Sequence, residues 1–228
     1  RNFLTKYDES NNLHKKMLEY FPKNPPAENA LKVLLLDISQ FFSGQNDLFD
    51  DLVEPPLGLM YLLTYLNREL GPAVNGKIAK SMIDFNSYRE LKRLLDDFSP
   101  QVIGIRALSL HQNFLHTIAA LVRQWGYDVP IITGGPYATS SYVSILHDKN
   151  IDLVVLGEGE ITFCEIIRGI IENRGKLPGE AVLREIKGIA FNPRETAAGR
   201  TVARESTTRE IILVDQPGGL MMTAPGKN

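Results

Sequence analysis

Four short stretches of the sequence combine residue types that favour ligand binding: residues 54–58, 106–111, 133–137 and 157–160. Two of them carry paired glycines, which leave room for a bulky group against the backbone. A third begins with a rigid diproline turn before free helical N–H groups. The fourth opens with Arg106, a cation at the end of an apolar strand, where it needs a partner or water. Their chemistry indicates a binding site and no catalytic dyad.

Each stretch also has a purely structural interpretation. The glycines suit a tight strand-to-helix turn, and the acids of residues 157–160 suit a helix N-terminus. Residues 54–58 fit an ordinary helix start. Arg106 could form an ion pair with Asp37 or Asp84. The inference of a binding site therefore depends on where the fold places the four stretches.

The elements that must position these stretches alternate along the chain. Strand-like apolar runs are predicted at residues 31–38, 78–85, 102–105, 129–133 and 151–156, and helices at residues 55–70, 87–98, 113–125, 140–147 and 161–173. This alternation predicts an α/β fold: a doubly wound, five-stranded parallel sheet, flavodoxin- or Rossmann-like, with strand order 2-1-3-4-5. Ligands bind such sheets outside the carboxyl ends of the strands, near the switch between strands 1 and 3. All four stretches are expected at that edge.

We divide the chain into an N-terminal extension (1–30) with a short helix, the α/β domain (31–175) and a C-terminal segment (176–228) forming a hairpin or linker. A formal net charge of −2 does not indicate a nucleic-acid partner. No apolar run approaches the roughly 20 residues of a membrane helix. A single cysteine, Cys164, fits a reducing, cytoplasmic location.

Together the motifs resemble the N-terminal cobalamin-binding (vitamin B12-binding) domain of cobalamin-dependent radical SAM enzymes. The resemblance covers about residues 31–192 and rests on residues 55–66, 101–105, 133–139, 157–163 and 187–191. It implies a base-off corrin over the carboxyl edge of the sheet, with the nucleotide tail between strands and helices. The implied cofactor-binding residues are Pro56, Leu57, Gly58, Arg106, Leu108, Ser109, His111, Gly134, Gly135, Pro136, Tyr137, Gly157, Glu158, Gly159 and Glu160.

Two departures from related domains concern the cobalt ligand. Cobalamin domains of the methionine-synthase type carry Asp-x-His-x-x-Gly after strand 1, but residues 40–54 contain no histidine. Their Ser-x-Leu motif corresponds to Arg106-Ala107-Leu108. Arginine cannot ligate cobalt; it could exclude a lower axial ligand, pair with a cobalamin phosphate, or fill the tail cleft and prevent binding. Of the four histidines, only His111 is placed to approach cobalt.

A third departure concerns catalysis, because an iron–sulfur cluster of a radical SAM enzyme needs three cysteines at CxxxCxxC. With Cys164 alone, the chain is not expected to be catalytic by itself. The resemblance implies a module of a methyltransferase-type system. A radical SAM catalytic domain or partner chain would supply the iron–sulfur cluster and S-adenosylmethionine.

Two other hypotheses remain open. The domain could be a degenerate module that binds no cofactor and serves docking or scaffolding. It could also be a flavodoxin-like domain for a nucleotide or flavin, although GxGxxG and Walker motifs are absent. The loop after strand 1 is acidic and would repel phosphate, and strand 3 lacks a phosphoreceiver aspartate.

Overall fold

A computed structural model describes residues 25–43, residues 54–192 and one further strand, Ile212–Val214. Among these residues the strands are β1 (Leu31–Asp37), β2 (Val74–Lys80), β3 (Val102–Arg106), β4 (Ile131–Gly134), β5 (Leu153–Val155), β6 (Ile189–Phe191) and β7 (Ile212–Val214). The α-helices are α1 (Leu57–Leu70), α2 (Tyr88–Phe98), α3 (Gln112–Gln124), α4 (Pro136–Leu146), α5 (Glu160–Glu172) and the short α6 (Glu180–Leu183). The helix predicted in the N-terminal extension lies outside the described residues.

The strands form one sheet in the order β2-β1-β3-β4-β5-β6-β7. Strands β1 to β5 run parallel in the predicted order 2-1-3-4-5, so the predicted fold class is confirmed. The predicted C-terminal hairpin also forms, and its first strand, β6, pairs antiparallel with β5. The described sheet therefore has seven strands, since the hairpin extends the five-stranded core. The side chains of Ile189–Phe191 are buried, so β6 covers an edge that would otherwise expose unpaired backbone groups.

Two elements have a boundary that differs from the prediction by more than two residues. Strand β2 begins earlier and ends at Lys80, because the chain then turns: Met82 has a φ of 73° and the Lys80 amide donates to the Asp84 carboxylate. The early part of β2 escaped prediction because its Val74–Lys80 pattern contains exposed polar positions, as suits a strand near an edge. Helix α4 begins at Pro136, where proline suits the first turn, and it is interrupted at Ser141.

Two apolar layers cover the faces of the sheet, because alternate residues of a strand point to opposite sides. Leu34 and Leu36 face the layer formed with α2, α3 and α4. Leu35 faces the layer formed with α1 and α5, which pack against each other. We call this second side the α1/α5 face. In the described parts of the chain, no helix is long and apolar enough to cross a membrane.

Candidate functional site

The carboxyl edge of the sheet carries a row of four residues paired in register. Lys80 of β2 lies beside Asp37 of β1, Asp37 lies beside Arg106 of β3, and Arg106 lies beside Gly134 of β4. They lie two residues beyond the row that contains Leu35, so their side chains belong to the α1/α5 face. The row thus runs from cation to anion to cation, and ends at a position without a side chain.

A cavity of ≈ 560 Å³ opens at this row, between the sheet, α1, α5 and the start of α4. Its volume falls within the roughly 300–1,000 Å³ of small-molecule sites. The predicted site residues that line it are Gly58, Arg106, Gly134, Gly135, Pro136, Gly157, Glu158, Gly159 and Glu160. Two of the four predicted stretches, residues 133–137 and 157–160, line this cavity fully or in large part, and Gly58 and Arg106 each represent one of the other two.

Glycines create the open wall of the cavity. No atom lies within 4 Å of where a Cβ on Gly58 would stand, and the nearest atom for Gly134 is Val155 Cβ at 3.7 Å. Gly135 adopts a φ of 93°, which glycine permits, and a Cβ there would lie 3.2 Å from Arg106 Cγ. Side chains at these positions would occupy the space a ligand needs.

Arg106 is held at the rim by a buried carboxylate. Its Nη1 donates to both oxygens of Asp37, at 3.3 and 3.2 Å. Asp37 is 1% exposed and also accepts from the Ser39 amide at 2.9 Å, while Lys80 Nζ lies 3.8 Å from its Oδ2. The predicted ion pair of Arg106 is thereby confirmed with Asp37, whereas Asp84 accepts from the Lys80 amide instead. With its guanidinium drawn toward β1, Arg106 lines the cavity and leaves it open.

Thr139 is a cavity residue that the sequence analysis did not single out. Its Oγ1 donates to the carbonyl of Gly135 at 3.1 Å and accepts from the amide of Gly157 at 3.0 Å. It therefore joins the two glycine stretches that follow β4 and β5. The sequence carried a signal for this contact, because a threonine near the start of a helix can donate its hydroxyl to the backbone carbonyl four residues earlier.

Other lining residues were also not predicted as site residues. They are Leu35, Leu59, Leu62, Gly104, Ile105, Ile132, Thr133, Ser140, Val155 and Phe163. Gly104 could have been predicted, since a glycine inside an apolar strand often marks a place where a ligand or another backbone approaches closely. The apolar residues have the composition of an ordinary core, and only the arrangement of the helices turns them toward a cavity.

Six predicted site residues lie outside the cavity lining: Pro56, Leu57, Leu108, Ser109, His111 and Tyr137. Leu57 is largely exposed at the start of α1. Tyr137 is buried in the apolar layer of the opposite face, and this burial raises the pKa of its phenol. His111 is also buried, with its ring centroid 4.4 Å from that of Phe41. The structure therefore separates His111 from the cavity.

The residues that line the cavity are suited to binding a ligand. Its walls are mostly apolar or glycine, with Arg106 at the β3 side and Glu158 and Glu160 at the β5 side. Within the described ranges, no group of three His, Cys, Asp or Glu side chains is arranged to hold a metal ion. Cys164 is buried on α5, and desolvation raises the pKa of its thiol.

Comparisons with known proteins point to a family. A family model described as the B12 binding domain matches residues 51–167, just over half of the chain. An uncharacterized methyltransferase of Pyrococcus horikoshii, PH0819, is 27% identical over 166 residues, which are 72% of this chain and 30% of that protein. The chain thus spans less than a third of the length of this curated relative.

Solved structures share the fold. The radical S-adenosylmethionine methyltransferase TsrM from Kitasatospora setae superposes with a TM-score of 0.57 at 17% identity, over 80% of this chain and 30% of TsrM. The cobalamin-dependent S-adenosylmethionine radical enzyme OxsB, with aqua-cobalamin and S-adenosylmethionine bound, gives a TM-score of 0.55 at 15% identity, over 82% of this chain and 22% of OxsB. Since the family model covers more than half of its residues, the chain belongs to the B12-binding domain family.

Proposed function

We propose that this chain binds cobalamin and holds it for a catalytic domain of the radical SAM type. The observation that carries the proposal is the open, glycine-lined cavity at the carboxyl edge of β3 and β4. It lies where an open α/β sheet binds its ligands. In this proposal the nucleotide tail enters the cavity and the corrin covers the edge of the sheet.

The residues present fit such a group. Leu35, Ile132 and Phe163 supply apolar walls for a flat aromatic base, and Gly58 and Gly134 leave the space unfilled. When bound, cobalamin supplies cobalt as a carrier of methyl groups. The chain's own contribution is to bind the tail, to orient the corrin at the edge and to exclude water from the space below it.

We further infer that cobalamin is held base-off and without a histidine ligand from the loop after β1. Residues 40–54 contain no histidine, and no histidine lines the described cavity. His111 packs on Phe41, and His116 Nδ1 lies 2.6 Å from the Asp148 carboxylate. The lower face of cobalt would therefore receive no imidazole from these side chains.

The partner we propose is a catalytic domain that supplies the iron–sulfur cluster and S-adenosylmethionine. A single cysteine cannot hold such a cluster, and the relatives are much longer than this chain. Leu57 and Ile161, in the first turns of α1 and α5, are large exposed apolar side chains, as expected near an interface. A cytoplasmic location also forms part of the proposal, because a single cysteine, Cys164, fits a reducing compartment.

Reconstitution with hydroxocobalamin tests this function. After desalting, the protein should retain about one equivalent of cobalamin and show the absorption spectrum of the base-off form. A colourless protein would contradict the proposal and favour a cofactor-free docking module. A bound cofactor with a base-on spectrum would retain cobalamin binding and overturn the inferred ligation. Titration with flavin mononucleotide and ATP, for which no saturable binding is expected, tests the nucleotide hypothesis.

A further inference from the structure

We propose that Arg106 recognises the phosphodiester of the cobalamin nucleotide loop and that Asp37 positions it for this contact. The inference rests on the proposed function and identifies the ligand group that binds at one end of the cavity. It also gives a role to the arginine that stands where related domains have serine.

The hydrogen bonds of Arg106 leave donors for a ligand. A guanidinium has five N–H donors and no acceptor. Among the described residues, the Arg106 side chain donates from Nη1, and only to Asp37. Nε and Nη2 belong to a side chain that lines the cavity and is 28% exposed. A planar fork with two remaining nitrogens is suited to the oxygens of a phosphodiester.

The charges of the row favour an anion at this end. Lys80 and Arg106 contribute two positive charges and Asp37 one negative charge, which leaves one surplus positive charge beside the cavity. Lys80 is almost fully buried and donates to Ser39 Oγ at 2.9 Å, so Arg106 is the cation that a ligand can reach. A phosphodiester carries one negative charge and would balance the row.

The acidic residues of the cavity lie away from this end. Glu158 and Glu160 follow β5, which is separated from β3 by β4. Glu158 is exposed to solvent, where its repulsion of an anion is screened. The cavity therefore has a cationic end at β1 and β3 and an acidic end at β5, and the phosphate is assigned to the cationic end.

The test is a binding comparison between Arg106→Met, which keeps the apolar stem and removes the charge, and Arg106→Lys, which keeps the charge. Titration of the whole chain with hydroxocobalamin should show roughly 10- to 100-fold weaker binding by Arg106→Met, as for loss of a charge-assisted hydrogen bond. Arg106→Lys keeps the charge but lacks the planar fork, so it should bind more tightly than Arg106→Met and more weakly than the wild type. Arg184→Met removes an exposed arginine outside the cavity and should bind like the wild type.

Cobinamide, which lacks the nucleotide and its phosphate, identifies the recognised group. Wild type and Arg106→Met should bind cobinamide equally, because the contact in question is absent. Unchanged or tighter binding of hydroxocobalamin by Arg106→Met would overturn the inference. So would an equal loss for both ligands, since that would place Arg106 against the corrin. Absence of hydroxocobalamin binding by the wild type is a different result and would refute the proposed function itself.

Discussion

Asp37 is a buried carboxylate between two cations, and its surroundings explain how an arginine can stand at the mouth of a binding cavity. Arg106 reaches it at 3.2 Å and Lys80 at 3.8 Å. Lys80 is 4% exposed, so without Asp37 its charge would be buried with the Ser39 hydroxyl as its one remaining side-chain partner among the described residues. Removal of one member of a buried ion pair costs more than the pair itself contributes.

Asp37→Asn is therefore expected to destabilise the fold by about 3 kcal/mol, because it keeps the shape and removes the charge. Urea unfolding followed by circular dichroism measures the difference. Glu180→Gln is the matched control, since it breaks an exposed pair with Arg184 and should cost less than about 1 kcal/mol. Equal losses in the two variants would show that the row of charges contributes little to stability.

Cys164 gives a second prediction at this scale. Burial raises the pKa of its thiol, so less thiolate is present at a given pH than in the unfolded chain. At pH 8 the native protein should react with a thiol-specific disulfide reagent at least tenfold more slowly than the urea-unfolded protein does. Similar rates would mean that α5 opens readily or that Cys164 is accessible in solution.

At the scale of elements, the site depends on how α4 joins β4 and β5. Thr139 in the first turns of α4 bonds to Gly135 on one side and to Gly157 on the other. One hydroxyl thus fixes the distance between two glycine loops that lack side chains to position them. The geometry of the cavity wall follows from this link.

Thr139→Val, which keeps the shape and removes the hydroxyl, should lower the free energy of unfolding by about 1 kcal/mol and weaken hydroxocobalamin binding several-fold. Thr139→Ser should restore both quantities in large part, because it keeps the oxygen. Chemical denaturation and ligand titration provide the two measurements. Rescue of stability by serine without rescue of affinity would contradict a role of the hydroxyl link in binding, because serine keeps the hydroxyl.

The sequence predicted the parallel strands well, because continuous apolar runs such as residues 102–105 have few alternatives. It misplaced the start of β2, where polar residues alternate near an edge, and it could not show that the C-terminal hairpin joins the sheet beside β5. The convergence of the glycine stretches followed from the strand order. The sequence allowed Arg106 to pair with Asp37 or Asp84, and the strand register places Asp37 directly beside it. The cavity residues Leu62 and Phe163 carry no signal that separates them from core residues.

At the scale of the whole molecule, the proposed role is that of a cofactor-binding domain. Helices α1 and α5 close the cavity from one side, and the sheet closes it from the other. The long relatives place a domain of this kind within a larger protein. The claim on which this interpretation depends is that the cavity receives part of cobalamin.

Gly58→Trp tests that claim most directly. Gly58 lines the cavity, has no atom within 4 Å of a Cβ position and lies in the first turn of α1, where tryptophan is tolerated better than glycine. Because Gly58 is exposed on the cavity lining, an indole there should obstruct the mouth of the cavity with little cost to folding. Gly179→Trp is the matched control, since Gly179 is equally open but does not line the cavity.

The measurement is the dissociation constant for hydroxocobalamin in the two variants and the wild type, with thermal unfolding to verify that each protein is folded. We expect Gly58→Trp to bind roughly 10- to 100-fold more weakly than the wild type, because the ligand would have to displace the indole at a cost like that of overpacking, and Gly179→Trp to bind like the wild type. Unchanged affinity in a folded Gly58→Trp protein would contradict binding of cobalamin in this cavity.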